Sequence, residues 1–114
     1  KYLDELIYMP IVAINKSEDI DILKGHISAN RCAFELTFRE EPTYMIQAAD
    51  LLKGTSRIWV NCLWDTLCGG HEDDQALLDP EAHYGYLINT LGASIIQTDR
   101  PEFLISYLKA HNLH

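Results

Sequence analysis

The sequence has little of what marks the best-defined site chemistries. Its three cysteines, Cys32, Cys62 and Cys68, are odd in number and include no CxxC pair, which argues against a disulfide framework and against a structural zinc site. It has no P-loop, no GxGxxG run, and no Ser, His and Asp at the spacing of a hydrolase triad. No apolar run reaches the ~18 residues that a bilayer requires, so no membrane insertion is expected. Positive charge is scarce: nine Lys and Arg stand against 17 Asp and Glu, for a net charge of -8. That balance excludes an electrostatic grip on nucleic acid or on anionic membrane. An anionic substrate would need a metal ion or a local Arg or Lys. The chain opens on Lys1 rather than Met and shows no signal peptide; the expectation is a piece of a longer protein, with no compartment written in it.

What is present is a globular composition. Of 114 residues, 47% are hydrophobic, enough for one domain with a core. Short apolar runs alternate with amphipathic stretches. The run 6–14 suits a strand buried on both faces, with Pro10 an awkward member because it cannot donate to a ladder. Ser17 reads as the N-cap of the helix that follows, with acidic residues in its first turn. The second strand is 32–38, followed by Pro42 and a helix over 43–54 that stops at Gly54. The third is 57–64. A polar loop comes next, and Asp79-Pro80 opens a helix over 80–92. The fourth is 93–99, and a last helix starts at Pro101.

Four consecutive β/α units imply an α/β fold with parallel strands and right-handed crossovers. They make either a small open sheet with helices on both faces or half of a TIM-type (β/α)8 barrel, a fold of ~250 residues. In both cases chemistry collects at the C-terminal ends of the strands.

Those ends supply the candidates. Phe34, Leu36 and Phe38 share one strand face and should meet the helices; Glu35 and Thr37 share the other and would point into a barrel. Glu35 either pairs with a nearby Arg or Lys or serves a site, since a buried carboxylate is costly alone. Asn61 interrupts an apolar strand and needs amide partners, and Trp64 is either a pocket wall or core. In the loop after Gly69 and Gly70, His71, Asp73 and Asp74 are the candidates for a divalent cation, against the plainer reading of a helix cap and solvated charges. Thr98, Asp99 and Arg100 close the fourth strand. Asp99 is expected to cap the last helix, and Arg100 to add positive charge at its N-terminus. His26, His83, His111 and His114 read as structural or solvent-exposed, Cys32 and Cys62 as core, and Cys68 as the more exposed thiol.

The stretch 92–114, with Thr98-Asp99-Arg100-Pro101 after its strand, resembles the closing segment of the glycerophosphodiester phosphodiesterase family. The run 58–65, ending in Trp64-Asp65, looks like that family's seventh strand, and the loop beginning Cys68-Gly69-Gly70-His71 looks like a variant among its bacterial members. The resemblance implies strands five to eight of a β/α barrel, from a metal-dependent hydrolase of glycerophosphodiesters in lipid metabolism. It implies Trp64 as a pocket wall and Thr98 and Asp99 at the barrel mouth. The family's paired histidines and metal carboxylates belong to the first half of the barrel, and its His-Arg-Gly motif is missing from this sequence. No catalytic residue carries over. The resemblance implies Mg or Ca in the parent enzyme and no cofactor for this chain alone. It names as partner the other half of the barrel, and allows a periplasmic or secreted parent. A different class of function stands beside it: a non-catalytic accessory domain that hides its sheet edges by pairing with a second copy of itself as a dimer.

Overall fold

Strands β1 (Ile11–Ala13), β2 (Ala33–Thr37), β3 (Arg57–Asn61) and β4 (Ala93–Gln97) form one parallel sheet in the order β1-β2-β3-β4. A computed structural model describes residues 8–27, 32–40 and 43–114. Between and after the strands come helices α1 (Ser17–Ile27), α2 (Thr43–Leu52), α3 (Asp73–Leu78), α4 (Glu81–Thr90) and α5 (Pro101–Ala110). The fold is therefore α/β, with a parallel sheet alternating with helices. The strands are shorter than the apolar runs predict, as at β3, where Leu63 and Trp64 lie past the strand and lead into the rim loop. The start of the first run, and Pro42, lie outside the described residues.

Local chemistry explains most boundaries. Pro10 sits one place ahead of β1, where its carbonyl still accepts from Glu35 N–H at 3.0 Å, so its missing donor costs the sheet nothing. The expected Ser17 cap is replaced. Asp19 turns its Oδ2 back onto the N–H groups of Asn15 (2.8 Å) and Lys16 (3.0 Å), while Ser17 Oγ donates to Glu18. Gly54 (φ 82°) and Gly92 (φ 76°) end their helices in the left-handed conformation, as the sequence predicts. Asp79 caps α4 through Ala82 N–H at 3.1 Å. That helix is wound as a π-helix, with Leu91 N–H bonded to Tyr86 O at 3.2 Å, and returns to α spacing at Gly92 N–H to Ile88 O. Such segments are rare. Among the described residues no helix is long and apolar enough to cross a membrane.

The two faces of the sheet differ. Val12, Ile14, Phe34, Leu36, Phe38, Ile58, Val60 and Cys62 point to one face and are buried. They join a single cluster with the buried apolar side chains of all five helices, from Ile20 and Leu23 in α1 to Leu104 and Tyr107 in α5. Each fully buried Leu or Phe there contributes about 1.5–3 kcal/mol. No side chain of the other face belongs to that cluster. Across that second face runs the registered row Ile11, Glu35, Trp59, Ile95, with Asn61 paired to Gln97 in the row above. Glu35 thus lies on the face opposite the helices, as its alternation with Phe34 and Leu36 predicts.

Candidate functional site

The C-terminal rim is organised by one carboxylate. After β3 the chain makes a 3₁₀ turn (Asp65–Leu67) and doubles back. Phe38 N–H donates to Leu67 O at 3.2 Å and Gly69 N–H to Phe38 O at 2.8 Å, so the loop docks as a short parallel bridge beside β2. Gly69 (φ 61°) is required by this approach: a Cβ there would lie 2.4 Å from the Phe38 ring. Gly69 therefore serves loop packing, while a Cβ at Gly70 (φ 85°) would meet nothing within 4 Å.

The loop delivers Asp73 to the end of the strand, where its N–H donates to Cys62 O at 3.0 Å. The Asp73 side chain is 5% exposed. Its Oδ1 accepts from Tyr84 Oη and Thr98 Oγ1, both at 2.6 Å, and its Oδ2 from Asp99 N–H at 2.8 Å. One carboxylate thus ties β3, α4 and the end of β4 together. Burial, followed by the bond to Asp73, raises the Tyr84 phenol well above its ordinary range. Thr98 Oγ1 in turn accepts from Arg100 N–H at 2.9 Å. The Arg100 guanidinium donates to Asp74 at 2.7 Å, and that bond raises its pKa. A hollow of about 250 Å³ lies over this network, lined by Leu63, Glu72, Asp73, Asp74, Asp99 and Arg100.

Five of the sequence candidates therefore meet: Asp73, Asp74, Thr98, Asp99 and Arg100. Their roles differ from the expected ones. Arg100 itself occupies the N-cap position of α5 and Asp99 makes no cap bond; Asp99 serves through its backbone N–H. The hollow holds four carboxylates to one guanidinium, already paired, so it is no free anion site. Trp64 stands apart, 64% exposed and absent from the lining. Asn61 finds both partners its amide needs, donating to Gln97 Oε1 at 3.2 Å and accepting from Leu63 N–H at 3.0 Å.

The proposed metal set His71, Asp73 and Asp74 diverges. His71 faces His83, Nδ1 to Nδ1 at 2.9 Å, and stacks on Tyr86 at 4.5 Å between ring centroids. Both Asp73 oxygens hold donors and Asp74 holds Arg100. Among the described residues no three His, Cys, Asp or Glu side chains converge to hold a metal ion. These residues do not fit a divalent cation. His83 belongs to the loop contact, the structural of the two roles the sequence allowed it, and Cys68 is fully buried where the sequence suggested exposure.

Tyr84, which donates to Asp73, and Gln97, which accepts from Asn61, were not singled out from the sequence. The usable signal was indirect, since a buried carboxylate such as Asp73 demands donors from neighbouring elements.

Glu35 stands away from the rim, 9% exposed. Its registered neighbour Trp59 buries an Nε1–H that lacks an acceptor among the described residues. A family model described as a domain of unknown function matches residues 8–108. Comparison with curated proteins finds no match.

Proposed function

The chain belongs to that family, DUF4996, and from this premise we propose that it is the second half of a β/α barrel of the glycerophosphodiester phosphodiesterase kind, catalytically silent by itself. The observation that carries the reading is the second face of the sheet. A buried indole N–H without an acceptor, that of Trp59, is costly, and Glu35 stands beside it, buried on the same face. Both suit a face that meets further polar groups. A sheet whose strands run in sequence order, with every helix on one side, is the arrangement of a barrel segment; a doubly wound sheet reverses its order and carries helices on both sides. The Thr98-Asp99-Arg100-Pro101 ending supports the family, and the Asp73 network, which ties that ending to β3 and α4, suits a place at a barrel mouth.

The division of labour follows from charge. The rim of this half is acidic and Arg100 is engaged, so it does not draw in a phosphodiester unaided. In the family it resembles, a divalent cation neutralises phosphate charge and activates the nucleophile. The residues here do not fit that ion, so the ion and the acid–base histidines are assigned to the other half. This half contributes the walls, through Glu35, Trp59 and Asn61 inside and Thr98 and Asp99 at the mouth.

The test is a phosphodiesterase assay with Mg²⁺ or Ca²⁺. The chain alone should show no turnover; mixed with the first four β/α units of such an enzyme, it should restore turnover that neither half shows. Turnover by the chain alone, or none from the mixture, counts against the reading.

A second reading has one observation in its favour. The free side of β4 borders an apolar groove of about 350 Å³, lined by Ile88, Ala93, Ile96, Leu104, Leu108 and Leu113 among others. Self-association through this edge, without chemistry, would cover it. Sedimentation velocity separates the two, because a monomer at high concentration removes the dimer.

A further inference from the structure

Two imidazoles meet at the rim, apart from the Asp73 network. His71 comes from the rim loop, where its N–H donates to Cys68 O at 3.0 Å, and His83 comes from the start of α4. Their rings turn the same nitrogen to each other, Nδ1 to Nδ1 at 2.9 Å, with centroids 5.0 Å apart and planes at 58°. Tyr86 stacks on His71, with centroids 4.5 Å apart and planes at 17°, and so holds that ring's plane. His83 and Tyr86 both lie on the π-wound helix, a rare winding that frequently accompanies functional sites.

We propose that His71 and His83 bind one zinc-class transition-metal ion through their Nδ1 atoms, clamping the rim loop to α4. Imidazole suits zinc, copper and nickel, whereas magnesium and calcium take oxygen ligands. This is a different set from His71, Asp73 and Asp74, whose carboxylates already hold donors. Zinc holds imidazole nitrogens at ~2.0–2.1 Å, so at a tetrahedral angle two of them stand about 3.4 Å apart. From 2.9 Å the two nitrogens need to part by only about half an ångström. The ion takes the place of the proton between them, and each Nδ1 gives it a lone pair. Both neutral rings then carry their proton on Nε2, so one ring changes tautomer and no net proton is released. No third His, Cys, Asp or Glu joins the pair among the described residues. Water therefore completes the shell, an open arrangement unlike a closed four-ligand structural site. His71 is 7% exposed and His83 half-buried, so the ion enters from the side of His83. The site lies wholly within this chain and stands with or without the other half of a barrel.

The experiment titrates ZnCl₂ into the full chain carrying Cys32→Ser, His111→Gln and His114→Gln. These changes remove the exposed thiol and the two exposed histidines near the C-terminus as competing ligands. Calorimetry reads the affinity, and imidazole ¹⁵N spectra of histidine-labelled chain read the atoms. The three histidines left are His26, His71 and His83. One Zn²⁺ per chain should bind, shifting the Nδ1 resonances of His71 and His83 and leaving both rings protonated on Nε2, with His26 unchanged. MgCl₂ at the same concentration should shift neither ring. His83→Gln in the same background should weaken Zn²⁺ binding at least about tenfold, the loss that even the outer partners of a metal ligand produce. The absence of a saturable shift at His71 and His83, or a Zn²⁺ affinity that His83→Gln leaves unchanged, overturns the proposal. The spectra of the background chain decide even if His83→Gln does not fold.

Discussion

The two faces of the sheet are built to different rules. On the covered face every strand side chain from Val12 to Cys62 is apolar, and five helices close over them. On the other, Ile11 is 67% exposed, Glu35 is buried, and the buried Trp59 Nε1–H has no hydrogen-bond partner among the described residues. The first face satisfies the hydrophobic effect within the chain. The second leaves an indole N–H whose desolvation nothing described offsets. Stability should therefore reside in the first face and the rim, and association in the second.

Substitutions should divide accordingly. Phe34→Ala, emptying the centre of the covered face, should cost about 3–5 kcal/mol in urea unfolding; a loss below about 1 kcal/mol would break the comparison. Asp73→Ala removes the acceptor of Tyr84, Thr98 and Asp99 at once, and should cost about 2–4 kcal/mol by the same measurement. The phenols sharpen the point from the other side. Burial and the bond to Glu81 Oε2 push Tyr107 up to about 12 from 10.0, and Tyr84 is raised further. A raised phenol pKa stabilises the fold fully below pH 10.0 and is lost as pH climbs toward about 12. Melting temperature should hold on the near side of that window and fall across it, with Tyr107→Phe flattening part of the fall. On the second face, Glu35→Gln should change the stability of the isolated chain by less than about 1 kcal/mol, because no described bond is broken. Arg100→Ala, which breaks one exposed pair with Asp74, should move it by less than about 0.5 kcal/mol.

How far the sequence could be read follows the same divide. The alternation of apolar runs and amphipathic stretches located all four strands, because a strand covered by helices must be apolar. Period-two alternation put Phe34 and Glu35 on opposite faces, as found. Gly54, Gly92 and Pro101 marked helix ends, since backbone conformation depends on the residue itself. The rim was less legible. Asp73 read as a cap or a ligand, because a carboxylate has one spelling whether it meets a metal, a solvent or three hydrogen-bond donors. Asp73 and its donors Tyr84, Thr98 and Asp99 are brought together by tertiary structure alone. The short helix α3 was legible only through the plainer reading of a helix cap in the polar loop, since its DDQALL sequence offers little periodicity over six residues. Glu35 was visible as an oddity within its strand, but the unpartnered Trp59 N–H beside it is a fact of packing that no spacing encodes.

The account turns on the second face becoming an interface, and the Trp59 indole reports on it directly. In ¹⁵N-labelled chain carrying Trp64→Phe, the one remaining indole N–H resonance belongs to Trp59. Titration with the first four β/α units of a glycerophosphodiester phosphodiesterase should shift that resonance saturably and slow its exchange with solvent, as the covered donor gains an acceptor. A resonance that stays in place while the partner is raised to large excess would contradict it.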